Sequence, residues 1–170
     1  MLMNDGWAIS EPYRGTLVRT FDLNFITNAQ DVRRALEMLA IEDAIKHIDL
    51  KTLEKLKFYL KMQERCIQDN HPAEFVNYDR LFHEQIYLIS KNDLLVKLIE
   101  NLNDIIRFFA VKILMNPDRK ITTIEEHEAI INAIEKGDVE LARNAMDYHL
   151  KKTNEAILRY SESTDPDSTA

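Results

Sequence analysis

An all-α fold, an antiparallel bundle of about six helices preceded by a short β-hairpin, is what the sequence predicts. Three observations carry it. Apolar residues recur at three- and four-residue spacing over nearly all of residues 28–160. Helix breakers are scarce, with 3 Gly and 4 Pro in 170 residues. Those few breakers fall between the periodic segments, so each marks a connection.

The elements follow in order. Residues 1–22 stand apart, because Trp7-Ala8-Ile9-Ser10 and Thr16-Leu17-Val18-Arg19 are short runs around the turn-like Glu11-Pro12-Tyr13-Arg14-Gly15. That pattern reads as a hairpin too small to be stable alone. Asn28 can cap a first helix through Ile45, with Val32, Leu36, Leu39 and Ala40 on one face. A second helix spans about Leu50 to Gln68, carrying Leu53, Leu56, Leu60 and Ile67, until Asp69-Asn70-His71-Pro72 breaks it. Pro72 suits the first turn of a third helix over 72–89. Ser90-Lys91-Asn92 separates that from a fourth over 93–115, which Asn116-Pro117 ends. Thr122 and Thr123 each precede a glutamate by three residues, Glu125 and Glu126, a capping-box signal for a helix through Lys136. Gly137 closes that helix, and Asp138 caps a last one to about Tyr160. The polar tail, 161–170, reads as disordered.

Composition excludes several classes. A net charge of −7 makes a poor nucleic-acid binder, since phosphate contact needs clustered Lys and Arg. The lone Cys66 cannot close an intramolecular disulfide, which fits a reducing cytoplasm. No run of about 18 apolar residues is present, and no basic-then-apolar leader, so the chain reads as soluble and unexported.

Four ionisable residues fall where such groups are normally excluded. Helical residues advance by about 100°, which puts Phe75, Phe82, His83 and Ile86 all within about 60° of Asp79. The same holds for Ile124, Ile130, Ile131 and Ile134 around His127, and for Ala142, Ala145, Met146, Ala156 and Tyr160 around His149. Asp79, His83, His127 and His149 therefore point inward, while His47 and His71 fall outside the pattern and read as surface residues. A single buried histidine is commonly just a hydrogen-bonded core residue, and Asp79 with His83 could be a plain i, i+4 pair. Four such groups together would each need a partner, and one divalent cation serves them all. Imidazole suits zinc, nickel, copper or iron, and the carboxylate admits manganese. Four protein ligands either close a tetrahedral site or leave positions open on an octahedral ion.

Two competing motifs fail. Di-iron bundles place a glutamate three residues before each histidine, where this chain has Arg80, Ile124 and Met146. His127-Glu128 is followed by Ala129-Ile130-Ile131, which is not the zinc-protease pattern. No phosphate-binding glycine loop or nucleophile–base motif stands out, and the chain is not read as an enzyme.

Over about residues 28–158 the chain resembles the effector-binding C-terminal domain (FCD domain) of the FadR branch of GntR-superfamily transcriptional regulators. The marks are Arg33-Arg34-Ala35-Leu36-Glu37, Asp79-Arg80-Leu81-Phe82-His83, Ser90-Lys91-Asn92, Glu126-His127-Glu128-Ala129-Ile130, Ala133 through Asp138, and Met146-Asp147-Tyr148-His149-Leu150. Carried over on these motifs, the family's metal ligands fall on Asp79, His83, His127 and His149. The hairpin in 1–22 resembles the wing of that family's winged helix-turn-helix, without the helices that would precede it. The resemblance implies a metabolite-responsive regulator, working as a homodimer, in which a divalent metal, zinc foremost with nickel or manganese as alternatives, coordinates a small carboxylate. Operator DNA would be reached only through an N-terminal domain lacking from this chain. Arg33 would project towards the cavity and pair with the carboxylate or else form a surface salt bridge, and Arg107 is a weaker effector-binding candidate of the same kind. A metal-dependent enzyme acting on a small organic acid, or a purely structural metal site, stays open beside the sensor reading.

Overall fold

A computed structural model describes residues 8–11, 15–18 and 23–164. The first two stretches are strands β1 (Ala8–Glu11) and β2 (Gly15–Val18), paired antiparallel with Ala8 opposite Val18 and Glu11 opposite Gly15. Everything that builds the architecture is helical, and the reading of the hairpin as a winged-helix remnant gains no support from it.

Six helices follow: α1 (Leu23–His47), α2 (Leu50–Gln68), α3 (Pro72–Ile89), α4 (Asp93–Ile113), α5 (Pro117–Lys136) and α6 (Val139–Thr164). Asp49 caps α2 in a reciprocal capping box with Thr52, satisfying backbone donors that the first turn would leave open. Asn92 accepts from the Leu95 amide at the start of α4, and Asp138 from the Leu141 amide at the start of α6. Gly137 ends α5 at φ 66°, a left-handed conformation that a side chain disfavours.

Three sequence expectations need correction. Asn28 is interior to α1, which begins at Leu23. Thr122 and Thr123 do not cap α5: the helix starts at Pro117, where Asn116 accepts from the Asp118 amide. Both threonine hydroxyls instead donate to the Arg119 carbonyl inside the helix, an alternative use of the same side chain. The last helix runs through 161–164, where Ser161 and Ser163 donate to the Ile157 and Tyr160 carbonyls; 165–170 lie outside the described residues.

The inward face of α1 also differs. Val32 and Leu39 are exposed, while Ala40, Ile41 and Ala44 are buried together with the polar Arg33 and Glu37. Helix α1 packs on α3 and α6, and α2 on α3 and α5, so α3, α5 and α6 converge behind α1 and α2. Phe82, Ile86, Ile130, Ile134 and Met146 fill one core region, and Phe75, Ile113 and Ile157 belong to a second. The polar cluster lies against the first.

Candidate metal centre

Helix α3 supplies Asp79 and, one turn later, His83; α5 supplies His127 and α6 supplies His149. All three imidazoles are buried, His127 completely. Their ligand atoms lie within 4.8 Å of one another, and their ring centroids are 4.8 to 5.2 Å apart. Phe82 stacks on His127 at 4.1 Å and 13°, which fixes the plane of that ring. Asp79 sits at the edge of the cluster, with Oδ1 3.7 Å from His127 Nε2 and a side chain 14% exposed.

Each histidine presents Nδ1 outward to an acceptor on another helix or on its own neighbour in the bundle. His83 Nδ1 lies 2.9 Å from Glu37 Oε2, His127 Nδ1 3.0 Å from Gln63 Oε1, and His149 Nδ1 2.7 Å from Glu126 Oε2. Two of these acceptors are braced from behind. Arg33 Nε donates to Glu37 Oε1 at 2.5 Å, and Arg119 donates twice to Glu126, at 2.8 and 2.9 Å, and once each to Thr122 and Thr153. Such paired guanidinium–carboxylate contacts are charge-assisted and directional.

Burial dominates the electrostatics. It holds His127 and His149 well below the usual imidazole pKa, reinforced by the neighbouring imidazoles, so both are neutral and able to act as ligands. Burial raises Asp79, partly offset by His83 and Arg33, and raises Glu126 in spite of Arg119. At Glu37 burial also opposes ionisation, but the facing charge of Arg33 and the hydrogen bond from His83 win and hold its carboxyl well below the carboxylate range. Tyr87, buried beside Glu37, is pushed well up.

The donor set fits a metal. Among the described residues, Nε2 of His83 and of His127 are buried with no hydrogen-bond partner, a condition native interiors seldom tolerate. Two donors of one ion, each bonded at about 2.1 Å, lie no more than about 4.2 Å apart. The Asp79–His127 spacing meets that limit, and the histidine set is slightly wider, so the rings close a little around an ion.

Of the residues singled out from the sequence, the structure brings the three histidines together with Asp79 beside them. His47 and His71 are exposed, as their angular positions suggest. Arg33 is buried in an ion pair with Glu37, which removes the surface salt bridge as its role. Arg107 is exposed on α4. Glu37, Gln63, Glu126 and Arg119 are additional to the sequence reading. Gln63 lies within about 20° of Leu56 on the α2 wheel and Glu37 within about 20° of Ala44 on α1, so both carried the same signal as the ligands.

Fold and site together define an all-helical module with a histidine-rich centre in its core. The chain matches the FCD domain over residues 29–152, and it belongs to that family. It is 26% identical over 163 residues to YdhC, an uncharacterized HTH-type transcriptional regulator of Bacillus subtilis (strain 168), covering 95% of this chain and 73% of that protein. In structure it is similar to Escherichia coli McbR/YncC, with a TM-score of 0.84 at 19% identity, covering 93% of this chain and 80% of the other. It is also similar to the metal-free FCD domain of TM0439, with a TM-score of 0.69 at 21% identity, covering 85% of this chain and 99% of that one. Among the described residues no helix is long and apolar enough to cross a membrane.

Proposed function

We propose that this chain is the effector-sensing part of a metabolite-responsive transcriptional regulator, and that His83, His127, His149 and Asp79 hold a divalent metal. The observation that carries the reading is the pair of buried, partnerless Nε2 atoms on His83 and His127 beside His149. Zinc suits three imidazoles and a carboxylate best, and nickel or manganese also fit the donor types. When bound, the ion supplies an electrophilic centre for the oxygens of a small carboxylate effector. The protein's own part is to hold three buried imidazoles together and to place Arg33 against Glu37 on the α1 side.

The regulator acts as a homodimer in the cytoplasm, and it senses and does not turn over its ligand. Effector binding shifts the dimer between two arrangements only in so far as it binds them with different affinity. Operator contact is assigned to a recognition helix outside the matched region 29–152.

The test is elemental analysis of protein purified without chelator, followed by thermal denaturation with zinc and a panel of small hydroxy, keto and sugar acids. The reading predicts about one metal per chain, a further rise in melting temperature with some carboxylate, and loss of both in His127→Ala/His149→Ala. Metal-free protein that no divalent ion stabilises would refute it.

A further inference from the structure

A neutral imidazole carries one N–H, and the nitrogen that bears it decides which other nitrogen offers a lone pair. At this centre that choice is made outside the ligand cluster. The three Nδ1 atoms face Glu37 Oε2, Gln63 Oε1 and Glu126 Oε2, all within 3.0 Å. The two carboxylates already engage guanidinium groups, Arg33 and Arg119, so they accept and do not donate. We infer that Glu37, Gln63 and Glu126 are positioning residues that commit His83, His127 and His149 to the Nδ1–H tautomer, so their Nε2 lone pairs face one point before any ion arrives.

The opposite tautomer is poorly accommodated. It would set imidazole lone pairs against carboxylate oxygens at His83 and His149, and at His127 an Nε2–H would find Asp79 Oδ1 at 3.7 Å, beyond hydrogen-bond reach. Burial of the rings keeps water from supplying the missing partners.

The three arms are not equivalent. Glu37 is fully buried and locked by Arg33, and Glu126 is locked by two hydrogen bonds from Arg119. Gln63 is a neutral amide whose Nε2 is buried without a partner. Turned over, that amide would donate to Nδ1 and hold His127 in the opposite tautomer. The His127 arm is therefore held by the weakest acceptor, and it is where a single substitution has a clean effect.

The tautomers belong to the metal-free chain; only the effect on affinity rests on the metal reading. The experiment uses the whole chain, labelled with 15N-histidine and stripped of metal, and long-range proton–nitrogen correlation spectra that distinguish Nδ1–H from Nε2–H. Three buried imidazoles in the Nδ1–H form are expected. Gln63→Leu, which strands no charge, should raise the Nε2–H signal of His127 and weaken zinc binding by about 10- to 100-fold. His83 and His149 keep their signals in that variant and so report that the fold is intact. Arg33→Met/Glu37→Leu, which removes both members of an ion pair, should release His83 in the same way. Nε2–H as the main form in the unmodified protein, or an unchanged His127 tautomer in Gln63→Leu, would overturn the assignment. Expected tautomers in a protein that binds no zinc would leave it standing and sink the metal reading alone.

Discussion

Replacing Arg119 by Met tests how the α5–α6 side of the centre is held together. In the native chain Arg119 and Glu126 have side chains only 8% and 5% exposed, joined by two hydrogen bonds, with the Thr122 and Thr153 hydroxyls as further acceptors. Arg119→Met keeps most of the apolar stem but leaves the Glu126 carboxylate buried beside His149 without its counter-charge. Removing one partner of a buried pair costs about 3–5 kcal/mol. Because Arg119 and Glu126 also line an open groove between α5 and α6, water can relieve part of the loss, which selects the lower figure, about 3 kcal/mol. For a chain of this size that corresponds to about 6–12 °C in melting temperature. The assay is urea denaturation of the metal-free protein followed by circular dichroism, with Arg34→Ala as the reference. Arg34 pairs with Asp147 at 45% exposure, and a surface pair is worth at most about 1 kcal/mol. Arg119→Met/Glu126→Leu should recover much of the loss, since no charge is then stranded. An Arg119→Met variant no less stable than Arg34→Ala would refute the buried-pair reasoning.

Three further outcomes are expected. Because burial depresses the pKa of His127 and His149 in the folded chain, unfolding takes up protons below the free imidazole value of about 6.5. Stability of the metal-free protein is thus full above that pH and falls as pH drops below it; a urea midpoint that stays flat from pH 7.5 to 5 would contradict this. Gly137→Ala should lose about 1 kcal/mol to left-handed strain alone, since no atom lies within 4 Å of the added Cβ; an unchanged denaturation midpoint would argue against it. Asn116→Ala should cost about 1 kcal/mol by removing the cap at the observed start of α5, whereas Thr122→Ala should cost much less, and equal losses would return the start of the helix to the threonines.

The sequence was most readable where one local rule acted without competition. Pro72 and the break before it place α3, and Gly137 with Asp138 places the α5–α6 junction, because each depends on backbone geometry of a few adjacent residues. At α5 two start signals compete, and Asn116-Pro117 prevails over Thr122 and Thr123, whose hydroxyls find the Arg119 carbonyl instead. Helix α1 defeats an apolar-stripe argument outright: its buried face includes Arg33 and Glu37, and leaves Val32 and Leu39 in solvent.

By itself, then, the sequence determined that the chain is helical and that Asp79, His83, His127 and His149 fall on apolar faces, since periodicity says where a side chain points relative to its own helix. It could not say what each would meet. That Glu37 of α1 reaches His83, Gln63 of α2 reaches His127, and Arg119 and Glu126 brace His149 was decided by how α1, α2, α3, α5 and α6 pack. The same packing buried Arg33 in an ion pair and left Arg107 exposed, though both arginines look alike in sequence. The reason is physical: helical periodicity is set within a few turns of one chain segment, whereas partners for buried polar groups come from segments far apart in sequence.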